Sequence, residues 1–284
     1  MVALRPDGAG GALMARTEGD VLVDDVPLAP SRPRSGGALR RWLSPELLSI
    51  IVLLGLWEIV PRLMDSRWLP SFSEVVTALG EIQERGLLVE NVLASLRSLS
   101  IGYAISVVVG LVVGALMGRY KVVEAALDVF VEAALFTPSL ILAPIFFAIF
   151  GLGDETRIAV VVAYGLPIVI LNTSAGVRTV DPGIIEMARS FGSSELTLAR
   201  RVLLPASSPL TLEGLRLGLG RSIKGMINGE VFIALTGLGG LASTYGSQLD
   251  SAKVLAISLV VLIIAVITNW VFTRFERRAT RWLN

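Results

Sequence analysis

The 284-residue chain contains no cysteine and no histidine. Disulfides, thiolate nucleophiles, zinc sites of the Cys/His kind and histidine acid–base catalysis are therefore excluded. Charge is scarce as well: 17% of residues are charged and 53% are hydrophobic, where a soluble domain carries about a quarter charged residues. The formal net charge of +1 gives no footing for a nucleic-acid partner. No GxxxxGK[ST] phosphate loop occurs, so the chain is not by itself a P-loop ATPase. Any ATP and Mg are expected on a partner, and the chain is expected to carry no cofactor, no metal and no catalytic residue.

What is abundant is apolar sequence, with a mean hydropathy of +0.71. It gathers into six runs, roughly 47–64, 93–117, 123–150, 157–177, 207–235 and 254–273, each close to the roughly 20 residues a helix needs to cross a bilayer. The expectation is an all-α polytopic membrane protein with a transmembrane domain over 43–275. Residues 1–42, rich in Gly, Pro, Ala, Arg and Asp, read as a disordered cytoplasmic tail without the apolar stretch of a signal peptide. Residues 276–284 read as a second cytoplasmic tail. Arginine and lysine are concentrated before the first run, after the second, after the fourth and after the sixth. The positive-inside rule then puts both termini in the cytoplasm, and an even number of spans requires the same.

Between the spans, Ser73 is a plausible N-cap for an amphipathic helix over Glu74–Glu84 on the outer side. The second run places Gly102, Ser106, Gly110, Gly114 and Gly118 at four-residue intervals. They share one helix face, where small residues let another backbone approach. Pro138 and Pro144 interrupt the third run and Pro167 the fourth. Such breaks occur in pathway-lining helices, and Pro138 is counted as a candidate for that role.

Residues 178–206 are too polar to cross a membrane and too long for a turn. Asp181 can cap a short helix that has Pro182 at its first position, and Gly192 can end it in a left-handed cap. A second short helix is expected from about Ser194 to Leu203, stopping before Pro205. Two short helices would then present a knob to a soluble partner. The spacing Glu186-x-Ala188, three residues, Gly192, nine residues, Val202-x-Leu204-Pro205 resembles the EAA loop of ABC importer permeases, EAA-x3-G-x9-I-x-LP. Met187 replaces the second alanine and Val202 the isoleucine. The resemblance extends over about 45–275, through Leu69-Pro70-Ser71, Ala94-Ser95-Leu96-Arg97, Gly214-Leu215-Arg216 and Thr236-Gly237-Leu238-Gly239, to the nitrate/sulfonate/taurine subfamily. Asn91 and Thr137-Pro138-Ser139 depart from that subfamily's usual residues.

This resemblance implies a type I ABC importer permease fold with six transmembrane helices and cytoplasmic coupling helices. It implies a homodimer, two ATP-binding cassette subunits on the cytoplasmic face, an extracytoplasmic solute-binding protein and alternating access. Glu186, Ala188, Arg189, Gly192, Leu204 and Pro205 would make or shape the ATPase contact.

The fifth run carries Arg221, Lys224, Asn228 and Glu230, together with Glu213 and Arg216. Charges at mid-bilayer cost about 2.5–3.5 kcal/mol each on insertion scales, so each needs a reason. Two readings stay open. The four residues from Arg221 to Glu230 could line a pathway for an anionic solute such as a sulfonate, nitrate or carboxylate. Alternatively the cations pair with acids, Lys224 with Glu230 or Glu132 and Arg216 with Glu213. An ion-gradient-driven secondary transporter is the alternative class, but it would show inverted repeats, and no internal repeat is present.

Overall fold

The computed structural model describes residues 45–64, 68–137, 139–233 and 236–279. The chain falls into two units, 1–50 and 51–284. Of the first, only 45–50 are described, as the opening of helix α1 (Pro45–Met64). The expected tail 1–42 and the candidate Pro138 lie outside the described residues.

The described part of the second unit is helical. After α1 come α2 (Phe72–Glu84), α3 (Leu87–Arg119), α4 (Lys121–Phe136), α5 (Ala143–Phe150) and α6 (Asp154–Arg178). They are followed by α7 (Pro182–Ser190), α8 (Glu195–Leu198), α9 (Leu204–Ile233), α10 (Gly237–Ser247) and α11 (Ser251–Ala279). Among the described residues four helical stretches are long and apolar enough to cross a membrane: 47–64, 87–119, 154–178 and 251–278. The α9 region together with α10, which turns 48° away from it, makes a fifth if the pair is one broken span.

Among the described residues the six expected runs do not all appear as such helices, and the main difference lies in 123–150. That stretch is α4, a 3-10 turn at Ser139–Leu142, and α5. Thr137 is extended at φ −69° and ψ 129°, as the residue before a proline prefers to be. Pro144 sits in the first turn of α5, where its missing N–H costs nothing. At the other end of the chain α11 continues to Ala279, so residues 276–279 of the expected tail are helical.

Helix α6 is the centre of the bundle, with small residues pressed on it from two sides. A Cβ at Gly102 would stand 2.6 Å from Val161 Cγ1, one at Gly110 2.6 Å from Val169 Cγ1, and one at Gly114 2.7 Å from the Ile170 carbonyl oxygen. Ser106 on the same face is fully buried. The α3 stripe thus meets α6 of its own chain. Helix α9 does the same from the other side: a Cβ at Gly218 would lie 2.6 Å from Val169 Cγ2, and one at Gly225 2.9 Å from Tyr164 Cβ. In lipid there is little hydrophobic drive between helices, so this backbone-level packing supplies the cohesion.

Helix α2 begins two residues earlier than the sequence suggests. Ser71, not Ser73, is its N-cap, and the Glu74 carboxylate accepts the Ser71 N–H at 2.8 Å in a capping box. Ser73 serves another purpose: its N–H and hydroxyl both donate to Glu58 at 3.0 Å. Glu58 also pairs with Arg62, which ties α1 to the start of α2.

Candidate functional site

The 178–206 segment is braced from within. The Asp181 carboxylate accepts the Gly183 N–H at 2.7 Å and so caps α7. At the other end the Gly192 N–H reaches the Arg189 carbonyl at 2.8 Å and the Ser193 N–H the Ala188 carbonyl at 3.1 Å. With Gly192 at φ 76°, this is the paired closure of a Schellman motif. Ala188 packs with Ile185 and Val202 against the buried Val177, Val180, Leu198 and Leu203. This small cluster fixes α7 to α8. Met187 and Phe191 point outward instead, 56% and 84% exposed, and Glu186 is exposed beside them.

Glu195 connects this loop to the bundle. Its carboxylate takes Arg189 Nη2 at 2.6 Å and lies 3.5 Å from Arg119 Nη2 at the end of α3. The hydrogen bond from Arg189 holds the Glu195 carboxyl below the usual carboxylate range. Arg178 pairs with Glu124 of α4 at 2.6 Å. Neither Arg119 nor Glu195 stood out in the sequence, because their partners are far apart in the chain or across a turn.

The second short helix does not stop before Pro205. Helix α8 passes into a π-helical turn at Ala199–Leu203 and then directly into α9, with the Leu204 N–H bonded to the Ala199 carbonyl five residues back. Pro205 explains the wider turn. Its ring would clash with the carbonyl four residues earlier in a regular helix, and it has no N–H to give. Leu204 and Pro205 therefore set how the loop joins α9.

On α9, Arg221 and Lys224 are exposed. Among the described residues no acidic side chain lies within 4 Å of either, so the alternative pairing of Lys224 with Glu230 or Glu132 is not formed in this conformation. Arg216 pairs with Asn269 of α11 rather than with Glu213, Nε to Oδ1 at 3.2 Å. Arg216, Lys224, Ser258 and Asn269 border a cleft of about 500 Å³ between α9 and α11, floored by Leu219 and Ile223. Exposed cations on a crossing helix must face water or another protein rather than lipid.

Asn228 and Glu230 are placed differently. The Asn228 amide donates to the Tyr164 hydroxyl at 2.9 Å. Glu230 is fully buried and lines no open surface in this conformation. It accepts the Ser95 hydroxyl at 2.8 Å and the Gly239 N–H at 3.0 Å, joining α9 to α3 and to the start of α10. The structure thus brings Arg221 and Lys224 onto one open face and sets Glu230 apart from them. Arg157 and Ser95, which the sequence reading gave no role, are Glu230's neighbours.

Among the described residues no group of His, Cys, Asp and Glu could hold a metal ion. Comparison with known proteins agrees with a transport role. The chain is 30% identical over 251 residues to the taurine transport system permease protein TauC of Escherichia coli K12, covering 86% of this chain and 91% of that one. It is 26% identical over 257 residues to the putative aliphatic sulfonates transport permease protein SsuC of Bacillus subtilis 168, covering 90% and 91%. A probable ABC transporter permease protein of Brucella melitensis biotype 1 is 27% identical over 240 residues, covering 84% and 97%. The fold is similar to a chain of the MetNI methionine ABC transporter, with a TM-score of 0.61 at 21% identity, covering 70% of this chain and 99% of that one. Residues 106–281 match the family described as the binding-protein-dependent transport system inner membrane component. With this match over more than half its length, the chain belongs to that family of membrane transport permeases.

Proposed function

We propose that this chain is the permease subunit of an ATP-driven importer that moves a small anionic solute, of the sulfonate, nitrate or organic carboxylate type, by alternating access. Two copies form the translocation pathway, and both termini face the cytoplasm. Two ATP-binding subunits, which hold ATP and Mg, dock on the 178–206 loop. An extracytoplasmic binding protein delivers the solute. The observation that carries this reading is the loop itself, a self-braced knob with Met187 and Phe191 turned outward. Glu186, Ala188, Arg189 and Gly192 shape the docking face, while Leu204 and Pro205 join it to α9. Exposed apolar side chains on a braced, polar segment fit a groove on a soluble partner.

Arg221 and Lys224 supply positive potential along the pathway, with Asn228 on the same helix. Uptake of radiolabelled methanesulfonate, an anion, compared with that of zwitterionic taurine, by cells carrying the complete transporter tests this. Lys224→Ala is expected to lower uptake about tenfold without lowering the amount of permease that co-purifies with the ATPase. Unchanged rate and selectivity would remove Lys224 from the pathway. Uptake that persists after deletion of the ATPase gene would favour an ion-gradient-driven carrier instead.

A further inference from the structure

Arg157 Nη1 and Glu230 Oε1 are buried, lack any hydrogen-bond partner, and face each other 4.0 Å apart. Their side chains are 7% and 0% exposed. A charge-assisted N–H···O bond closes at about 2.7–2.9 Å, so the pair stands a little over an ångström short of contact. Two opposite charges buried and left unjoined are costly. A pair that served only to hold the fold would be expected to be closed.

The surroundings give each partner a different allegiance. Arg157 belongs to α6, and its Nη2 is held by Asp154, whose other oxygen is 3.5 Å from Arg97 of α3. Glu230 belongs to the start of α10 as much as to α9. The first three N–H groups of α10 would otherwise be orphaned. The Gly237 N–H donates to Asn91 Oδ1 at 2.8 Å, the Leu238 N–H to Ser95 Oγ at 2.9 Å, and the Gly239 N–H to Glu230 itself at 3.0 Å. The fit is tight: a Cβ at Gly237 would overlap the Glu230 carboxylate, and one at Gly239 would lie 2.6 Å from the Ile227 carbonyl oxygen. Any movement of the α10 start relative to α6 is therefore felt at the Glu230–Arg157 gap.

We propose that Arg157 and Glu230 form a lock between α6 and the α9–α10 junction that is open in this conformation and closes in the other half of the transport cycle. Arg157 is then a positioning residue for α10. The inference rests on the alternating-access reading above. It adds a named contact that distinguishes the two states, at the end of the bundle opposite the 178–206 loop.

This chain has no cysteine, so an introduced one is its single thiol and the label is read on its own band. Ser98 is buried one turn along α3 from Ser95, its hydroxyl donates to the Ser95 carbonyl at 3.0 Å, and its side chain lies beside Glu230, so a thiol there reports directly on the gap. Ser98→Cys is introduced into the complete transporter, and its reaction with a membrane-impermeant maleimide is timed with and without vanadate-trapped nucleotide. The rate is expected to differ about fivefold or more between the two states. In Arg157→Gln and in Glu230→Gln that difference should fall below about twofold, and Arg157→Lys should restore most of it. A full nucleotide response in both glutamine variants, even at reduced expression, would overturn the lock and leave the pair a structural one. If the Ser98→Cys parent itself shows no response and solute uptake persists after deletion of the ATPase gene, the alternating-access reading fails, and the lock with it.

Discussion

Replacing Gly110 by leucine is expected to abolish accumulation of the folded chain in the membrane. A Cβ alone at this position would meet Val169 Cγ1 at 2.6 Å, and the rest of the side chain has nowhere to go between α3 and α6. Overpacking in a filled core costs about 1–3 kcal/mol and occasionally more. Here the obstacle is a neighbouring helix fixed from both sides, so the upper part of that range applies. Size-exclusion chromatography of the detergent-solubilised variant, followed through a fused fluorescent protein, should show loss of the monodisperse peak. Gly80→Ala on α2 is the control, because a Cβ there meets nothing within 4 Å. Its profile should match the parent's. If Gly110→Leu gives a normal peak as well, the α3–α6 contact is looser than described.

The second large effect is expected at Gly192, and it should fall on coupling rather than folding. The residue sits at φ 76° with open space around it, so the constraint is backbone conformation alone. A β-branched side chain is a genuine outlier in that region, and the left-handed conformation costs roughly 1–2 kcal/mol for an L-residue. Gly192→Val should therefore depopulate the Schellman closure by a factor of about 5–30. Without that closure Phe191 and Met187 no longer stand on a fixed base. ATP-driven uptake should fall by a similar factor while the permease still inserts normally. Gly192→Asn should retain most activity, because asparagine tolerates the left-handed region. Equal losses in the two variants would mean that the side chain, not the turn, is what matters.

Much of this arrangement is legible in the sequence, for identifiable reasons. Asp181, Pro182 and Gly192 act within a few residues of themselves, so their spacing alone announces a capped helix with a left-handed end. The α3 stripe is visible because four-residue intervals map directly onto a helix face. A comparable signal on α9, Gly214, Gly218, Ser222, Gly225 and Gly229, is present in the sequence but is obscured by the charges interleaved with it.

Other features depend on tertiary placement. The break in 123–150 follows from prolines whose effect, kink or interruption, depends on what surrounds them. The continuation of α8 into α9 through a π turn reverses the ordinary expectation that a helix ends before proline. Glu230 shows the limit most plainly. Its partners Ser95 and Arg157 come from helices distant in the chain, so no local pattern could separate a buried anchor from a pathway-lining acid.

Val169 has a consequence for how this chain can change over generations. Its two methyl groups fill the spaces left by two glycines at once, Cγ1 against Gly110 of α3 and Cγ2 against Gly218 of α9. A lineage that acquires alanine at either glycine is trapped unless Val169 shrinks too; Val169→Ala relieves the contact at Gly218, but its Cβ would still stand 2.8 Å from one at Gly110, so only Val169→Gly relieves both. A suppressor screen begun from Gly110→Ala should return changes at Val169. One begun from Gly114→Ala should not, because the obstacle there is the Ile170 carbonyl oxygen and Thr173, at 2.7 Å each, and no substitution removes a backbone carbonyl. The interior of α6 is in this sense a set of linked loci, with some doors that open in pairs and others that stay shut.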